Sequence, residues 1–231
     1  MRKIFGVALL GFIIASAFLW ANQSRSSNPE IDEPHFHMSV KPANLSEETK
    51  RILDIVGQDV QLFDLKADTD QASSIRIWLE HFEQGVQKEN VIDIGSNIWV
   101  RNAQEESGNL YLGQLLLSIR QMKDEQNEER RLTITTALMD QGGSSSTTTD
   151  VHLPLHTGSR FTWTHNEEKE LSLHQPITLI SMAEMEDDER IVSFSGQSVR
   201  QYDATGEWPE ELGRYDRLLL FRIMLQSEEG L

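Results

Sequence analysis

Cysteine is absent from all 231 residues. The chain therefore has no disulfide, no thiolate metal ligand, no cysteine nucleophile and no lipid-modified cysteine. Basic residues are scarce: 21 Lys and Arg stand against 37 Asp and Glu, a formal net charge of −16. Three of those bases, Arg2, Lys3 and Arg25, lie in a leading segment that holds no acid, so the remainder is more acidic still. Such a surface repels nucleic acid and anionic headgroups, and no nucleic-acid partner is expected. Catalytic signatures are missing as well. There is no GxSxG, no SxxK, no HExxH and no phosphate-cradling glycine loop,. A carboxylate pair for glycoside hydrolysis cannot be singled out among 37 acids,. Together these absences argue against an enzyme, and no cofactor or metal is expected.

What the chain does have begins at its N-terminus. Met1-Arg2-Lys3 precedes Ile4 to Ala21, 18 residues without a charge. A basic start followed by an apolar run is the pattern of an export signal, and the run is just long enough to span a bilayer. The bases before it place the N-terminus in the cytoplasm and the body outside. Ala15-Ser16-Ala17 offers a small-x-small cleavage site, but Trp20 at the edge of the run suits an interfacial anchor, which favours a retained single-pass segment at residues 1–21. Cleavage would make the protein secreted.

Residues 22–58 read as a linker, with Pro29, Pro34 and Pro42, and with a short helix expected over 46–56 between Ser46 as cap and Gly57 as stop. From residue 59 to 231 the apolar period is two. Ile75, Ile77 and Leu79 alternate with polar or aromatic neighbours, as do Leu132 and Ile134, Val151 and Leu153, and Leu171 and Leu173, while Leu218 to Leu225 is a more continuous apolar strand,. No helical stretches separate these runs, so an all-β, antiparallel β-sandwich of about nine to eleven strands is expected.

Segments 75–122 and 132–185 show internal similarity. IRIWLEHFEQG at 75–85 aligns with LTITTALMDQG at 132–142, so that Gln84-Gly85 meets Gln141-Gly142. Gly95 then aligns with Gly158, Trp99 with Trp163, and Leu110 and Leu112 with Leu171 and Leu173. The spacing reads as duplication of a four-strand unit. Ser144 to Thr149 appear as an insertion at a mobile hairpin tip.

Candidate sites are few. Asp68-Thr69-Asp70 and the cluster Glu184 to Glu189 could reach a hard cation, but both read better as solvated acidic turns. His35 and His37, His152 and His156, and the isolated His81, His165 and His174 lack metal-site spacing. Trp78, Trp99 and Trp163 are the candidate ligand-binding residues, since an exposed indole stacks on sugar rings or anchors a protein. Trp78 lies opposite Ile75, Ile77 and Leu79, so it is either exposed or at a second buried interface. The sequence therefore reads as an extracytoplasmic, membrane-tethered, non-enzymatic β-sandwich that binds an envelope protein or a surface polymer. The alternative is a secreted carbohydrate-binding or glycoside-hydrolysing domain. An exposed strand edge favours the first, and a groove of exposed tryptophans beside acids the second.

Overall fold

The computed structural model describes residues 37–47, 58–68, 73–88, 91–100, 110–124, 129–140, 143–154, 158–186 and 194–227. These belong to one unit, Phe36–Leu231. The apolar run at 4–21 and nearly all of the helix expected over 46–56 lie outside the described residues. Among those described, no helix is long and apolar enough to cross a membrane.

The strands are β1 (His37–Pro42), β2 (Gln58–Asp68), β3 (Ser73–Glu83), β4 (Val86–Gln87), β5 (Ile92–Val100), β6 (Leu110–Asp124), β7 (Glu129–Asp140), β8 (Gly143–Pro154), β9 (Ser159–Thr164), β10 (Lys169–Leu171), β11 (Ile177–Met185) and β12 (Arg217–Ser227). They form two antiparallel sheets. The first runs β10-β1-β2-β6-β7-β8, and the second β4-β3-β12-β11-β9 with β5 also on β3. The count exceeds the expected nine to eleven because β1 lies in the presumed linker and β4 is only a two-residue piece. Met38 and Val40 of β1 alternate inward and are buried, so this strand is part of the core despite Pro42 at its end.

The period-two pattern explains the layering. Phe63, Leu65, Leu115, Leu117, Leu132 and Ile134 of the first sheet face Ile75, Ile77, Leu79, Met182, Leu219 and Phe221 of the second across one core. A hydrogen bond ties the sheets directly: Thr136 of β7 donates through Oγ1 to the Ile94 carbonyl of β5.

The second sheet is apolar on its other face too. There Phe82, Ala183, Met185, Leu218 and Leu220 pack with Val199, Leu212 and Tyr215. The cover is a helix, α1 (Gly196–Thr205), and a 3-10 turn at Glu210–Arg214. The all-β expectation missed α1, although its ends are signposted. Ser195 caps it through Oγ to the Gln197 N–H, and Gly206 closes it at φ 69°,.

Glu83 pairs with Val86 across Gln84-Gly85, and Asp140 pairs with Gly143 in the same register; Gln141-Gly142 between them lie outside the described residues. In the first, Gln84 and Gly85 have φ of 49° and 78°, the geometry of a type I′ turn,. Beyond the hairpins the correspondence stops. Gly95 is buried inside β5, whereas Gly158 lies in the connection before β9. Trp99 lies on the hairpin return of β3, and Trp163 on β9, which pairs with β11. β6 is interior to its sheet, while β10 is a three-residue edge and Leu173 makes only an isolated bridge to Leu225. Ser144 to Thr149 are not a loop tip either. They are regular β8, paired residue by residue with β7, where the β-branched threonines suit a strand,.

Candidate functional site

Trp78 is buried, 5% exposed, on the helix-covered face of the second sheet. Its indole N–H donates to Glu80 Oε1 at 2.9 Å, and the guanidinium carbons of Arg76 and Arg222 lie 5.2 and 5.9 Å from its ring centre. It offers no open ring face of the kind a stacked sugar needs. Trp163, on the same face of β9, is half-buried beneath the start of α1. A Cβ built on Gly196 would lie 2.2 Å from its indole nitrogen, so the helix begins with glycine to pass over the ring. For Trp99 only the backbone position is described, opposite Ser74. Trp78 and Trp163 thus share one sheet face but act as packing for its helical cover.

A buried ionic network fastens that cover. Arg222 Nη1 donates to both Glu80 oxygens at 3.1 and 3.2 Å, and Arg222 Nη2 to Asp203 Oδ1 at 3.1 Å. Asp203, on α1, also accepts from the Thr178 N–H at 2.9 Å and the Thr178 hydroxyl at 2.8 Å. Burial holds the Asp203 carboxyl above its usual range, against the opposing pull of the Thr178 bonds and the Arg222 charge,. His165 lies nearby, edge-on to Trp163. Burial holds it below the usual histidine value, with the Lys169 charge acting in the same direction.

A second ionic cluster lies between the sheets, at one end of the sandwich. Glu184 was expected in a solvated acidic turn. Instead it is an inward residue of β11, fully buried. Its Oε1 accepts from Arg130 Nη1, and also from Arg160 Nε at 3.2 Å, with Arg160 Nη2 at ion-pair distance, 3.1 Å. Its Oε2 accepts from Arg217 Nη1 at 2.9 Å, and that nitrogen also donates to the Pro154 carbonyl at 3.1 Å. Burial alone would raise the Glu184 pKa, but the Arg130 hydrogen bond and the three arginine charges outweigh it and hold the carboxyl below its usual value,. Arg217 Nη2 lies 3.8 Å from Glu83, which is paired with Lys88 and has His81 Nε2 3.4 Å away.

The feature best suited to a macromolecular partner is the free edge of β8. β8 ends the first sheet, and among the described residues nothing pairs with its other side. Its register with β7 is unbroken from Glu129↔Pro154 to Asp140↔Gly143. By contrast, β5 is broken by two register shifts and β10 has three residues. Gly143 to Thr148 are exposed on both faces. Thr133 donates to Asp150 at 2.6 Å, and the Thr135 and Thr148 hydroxyls meet at 3.0 Å, cross-strand contacts that add to the β7–β8 pairing,. Residues 143–149 carry no charge and no proline, two of the devices that protect sheet edges against strand addition.

These observations define a class first: a two-sheet antiparallel β-sandwich with a helical cover on one outer face and an unprotected edge on the other sheet. The sequence model of the YgaN domain family matches residues 39–225, and the chain belongs to that family. No curated protein and no solved structure matches the chain.

Proposed function

We propose that the protein is a membrane-tethered, extracytoplasmic binding module without catalytic activity, and that it holds an envelope protein by strand addition to β8. The observation that carries this reading is the free, bulge-free, uncharged edge at residues 143–149. An edge of this kind presents a row of backbone donors and acceptors, and an extended segment of another chain satisfies them. A second copy is a poor occupant, because each chain carries a net charge of −16 and self-association would bring like charges together,. A neutral or basic extended segment fits better. The tether is the apolar run Ile4 to Ala21 behind its basic start, which supports a body outside the cytoplasm. The carbohydrate-binding alternative draws less support, since Trp78 is buried and Trp163 is packed beneath α1.

The test is site-specific photocrosslinking in intact cells, with the photoreactive residue at Ser146 on β8 or at Gln201, exposed on α1. The reading expects a discrete adduct from position 146, none from 201, and loss of the adduct when Thr147→Lys places a charge on the edge. Equal crosslinking from both positions, or an adduct indifferent to Thr147→Lys, would refute strand addition.

A further inference from the structure

We propose that His165 is an acid-sensitive latch beneath α1, and that its protonation lifts the helix and uncovers the apolar outer face of the second sheet. By strand phase His165 follows Phe161 and Trp163 on the helix-covered side of β9. Its backbone N–H continues the pairing to β11 by donating to the Leu179 carbonyl at 2.8 Å. The residue is 3% exposed, and its ring stands edge-on to Trp163, the indole that Gly196 passes over at the start of α1. Neither ring nitrogen has a hydrogen-bond partner among the described residues. A neutral imidazole bears this at modest cost. An imidazolium carries two N–H donors and a charge, and burying them unpaired costs far more.

The charged groups around the ring are already committed. α1 brings Asp203 and Arg200, and the chain after β9 brings Glu167 and Lys169. Asp203 accepts from Arg222 and twice from Thr178. Glu167 is paired with Arg200 at 3.5 Å, on the surface. Lys169 and Arg200 oppose a further positive charge. On the sheet beneath, Glu80 accepts from Trp78, Tyr202 and Arg222. The imidazolium therefore finds its partners in water, and water reaches it when the cover moves. The cover is also the part built to move. α1 has ten residues, tied down by the Asp203 bonds, by a 3.3 Å bond from the Tyr202 hydroxyl to Glu80 and by side-chain packing. The strands beneath it are held by ladders on both sides. A short covering element of this kind opens at lower cost than the strands of a core. His81 lies in phase with Ile77 and Leu79, on the sheet face turned away from α1, and so provides the control. The latch is independent of the β8 edge.

The test is amide hydrogen exchange of the full-length chain at pH about 7.5 and about 5.5, either side of the ordinary histidine value, corrected for the intrinsic rate at each pH. A ring that stays neutral when covered and takes a pKa of about 6.5 when uncovered makes opening about tenfold more frequent at the lower pH. The proposal therefore expects protection in residues 196–205 to fall by about that factor, while β2 and β6 keep theirs. His165→Phe and His165→Gln, neither of which titrates, are each expected to remove the change, and His81→Phe to keep it. The His165 ring itself, followed by NMR, is expected to titrate below its usual value. Protection in α1 that is the same at both pH values, or that falls equally in the sheets, would overturn the proposal. So would a change that persists in both His165 variants, or protection that rises in acid, as an acceptor reaching the imidazolium would produce.

Discussion

Glu184→Gln is the most informative single substitution in the core. It preserves the shape of the side chain and removes the one carboxylate that, among the described residues, Arg130, Arg160 and Arg217 share. The three arginines do not lose equally. Arg160 is 28% exposed and can turn its charge toward water, so its share is small,. Arg217 keeps the Pro154 carbonyl and the more distant Glu83. Arg130 keeps no acid among the described residues and is fully buried. Removing one partner of a buried ionic cluster costs about 3–5 kcal/mol, most of it the burden of the uncompensated charge left behind. For a domain of this size that corresponds to a fall in Tm of roughly 6–20 °C. Thermal and urea melts followed by far-UV circular dichroism measure it. The same logic predicts a rescue: Arg130→Met combined with Glu184→Gln should be less destabilised than Glu184→Gln alone, because the stranded charge is gone. Acid should mimic the single substitution. The folded Glu184 pKa lies below the ordinary 4.5, so its contribution is present above that pH and is lost as pH falls through the folded value,. A loss below about 1 kcal/mol for Glu184→Gln, in the range of an exposed ion pair, or a double variant worse than the single, would refute the reasoning.

Three further outcomes are expected. Burial holds both His165 and His81 below the ordinary histidine value of 6.5. The unfolded chain therefore binds protons first, stability should fall as pH drops below about 6.5, and His165→Phe should flatten part of that slope in pH-dependent melts. Gly85→Ala places a side chain at φ 78° in the β3–β4 hairpin and should cost about 1–2 kcal/mol, read from urea midpoints,. Asp203→Ala leaves Arg222 paired with Glu80 but removes the α1 carboxylate that accepts from Arg222 Nη2 and from the Thr178 N–H and hydroxyl, so amide exchange in residues 196–205 should accelerate well before the sheets lose protection,.

The sandwich was legible because its inner positions repeat every second residue, as at Ile75, Ile77 and Leu79. The helical cover was less so. Leu218 to Phe221 is a run of apolar residues without alternation, and such a run means burial on both sides of a strand. That second buried face calls for a covering layer, and Ser195 and Gly206 mark the ends of the helix that supplies it. The ionic cluster could also have been read by phase. Glu184 continues the inward set Ile180 and Met182, Arg217 precedes Leu219 and Phe221 in the same phase, and Arg130 precedes Leu132 and Ile134. Reading 184–189 by composition, as one acidic patch, concealed the fact that its first member points into the core. β8 was missed for a different reason. Six small hydroxyl residues carry no hydrophobic period, so only pairing with β7 reveals them as a strand, and the open edge that follows is a property of topology. The duplication rested on hairpins that do match in register and on glycines that match only in identity.

The absence of cysteine allows the central claim to be tested with one reagent. Single-cysteine variants Ser146→Cys and Gln201→Cys, placed on β8 and on α1, can be treated with a membrane-impermeant maleimide in intact cells and again as purified protein. A membrane-tethered outer module occupied at its β8 edge predicts that position 201 reacts in both settings, while position 146 reacts only when purified. Equal reaction of both positions in cells would show an unoccupied edge, and failure of both in cells, with reaction when purified, would place the body on the wrong side of the membrane; either result contradicts the account.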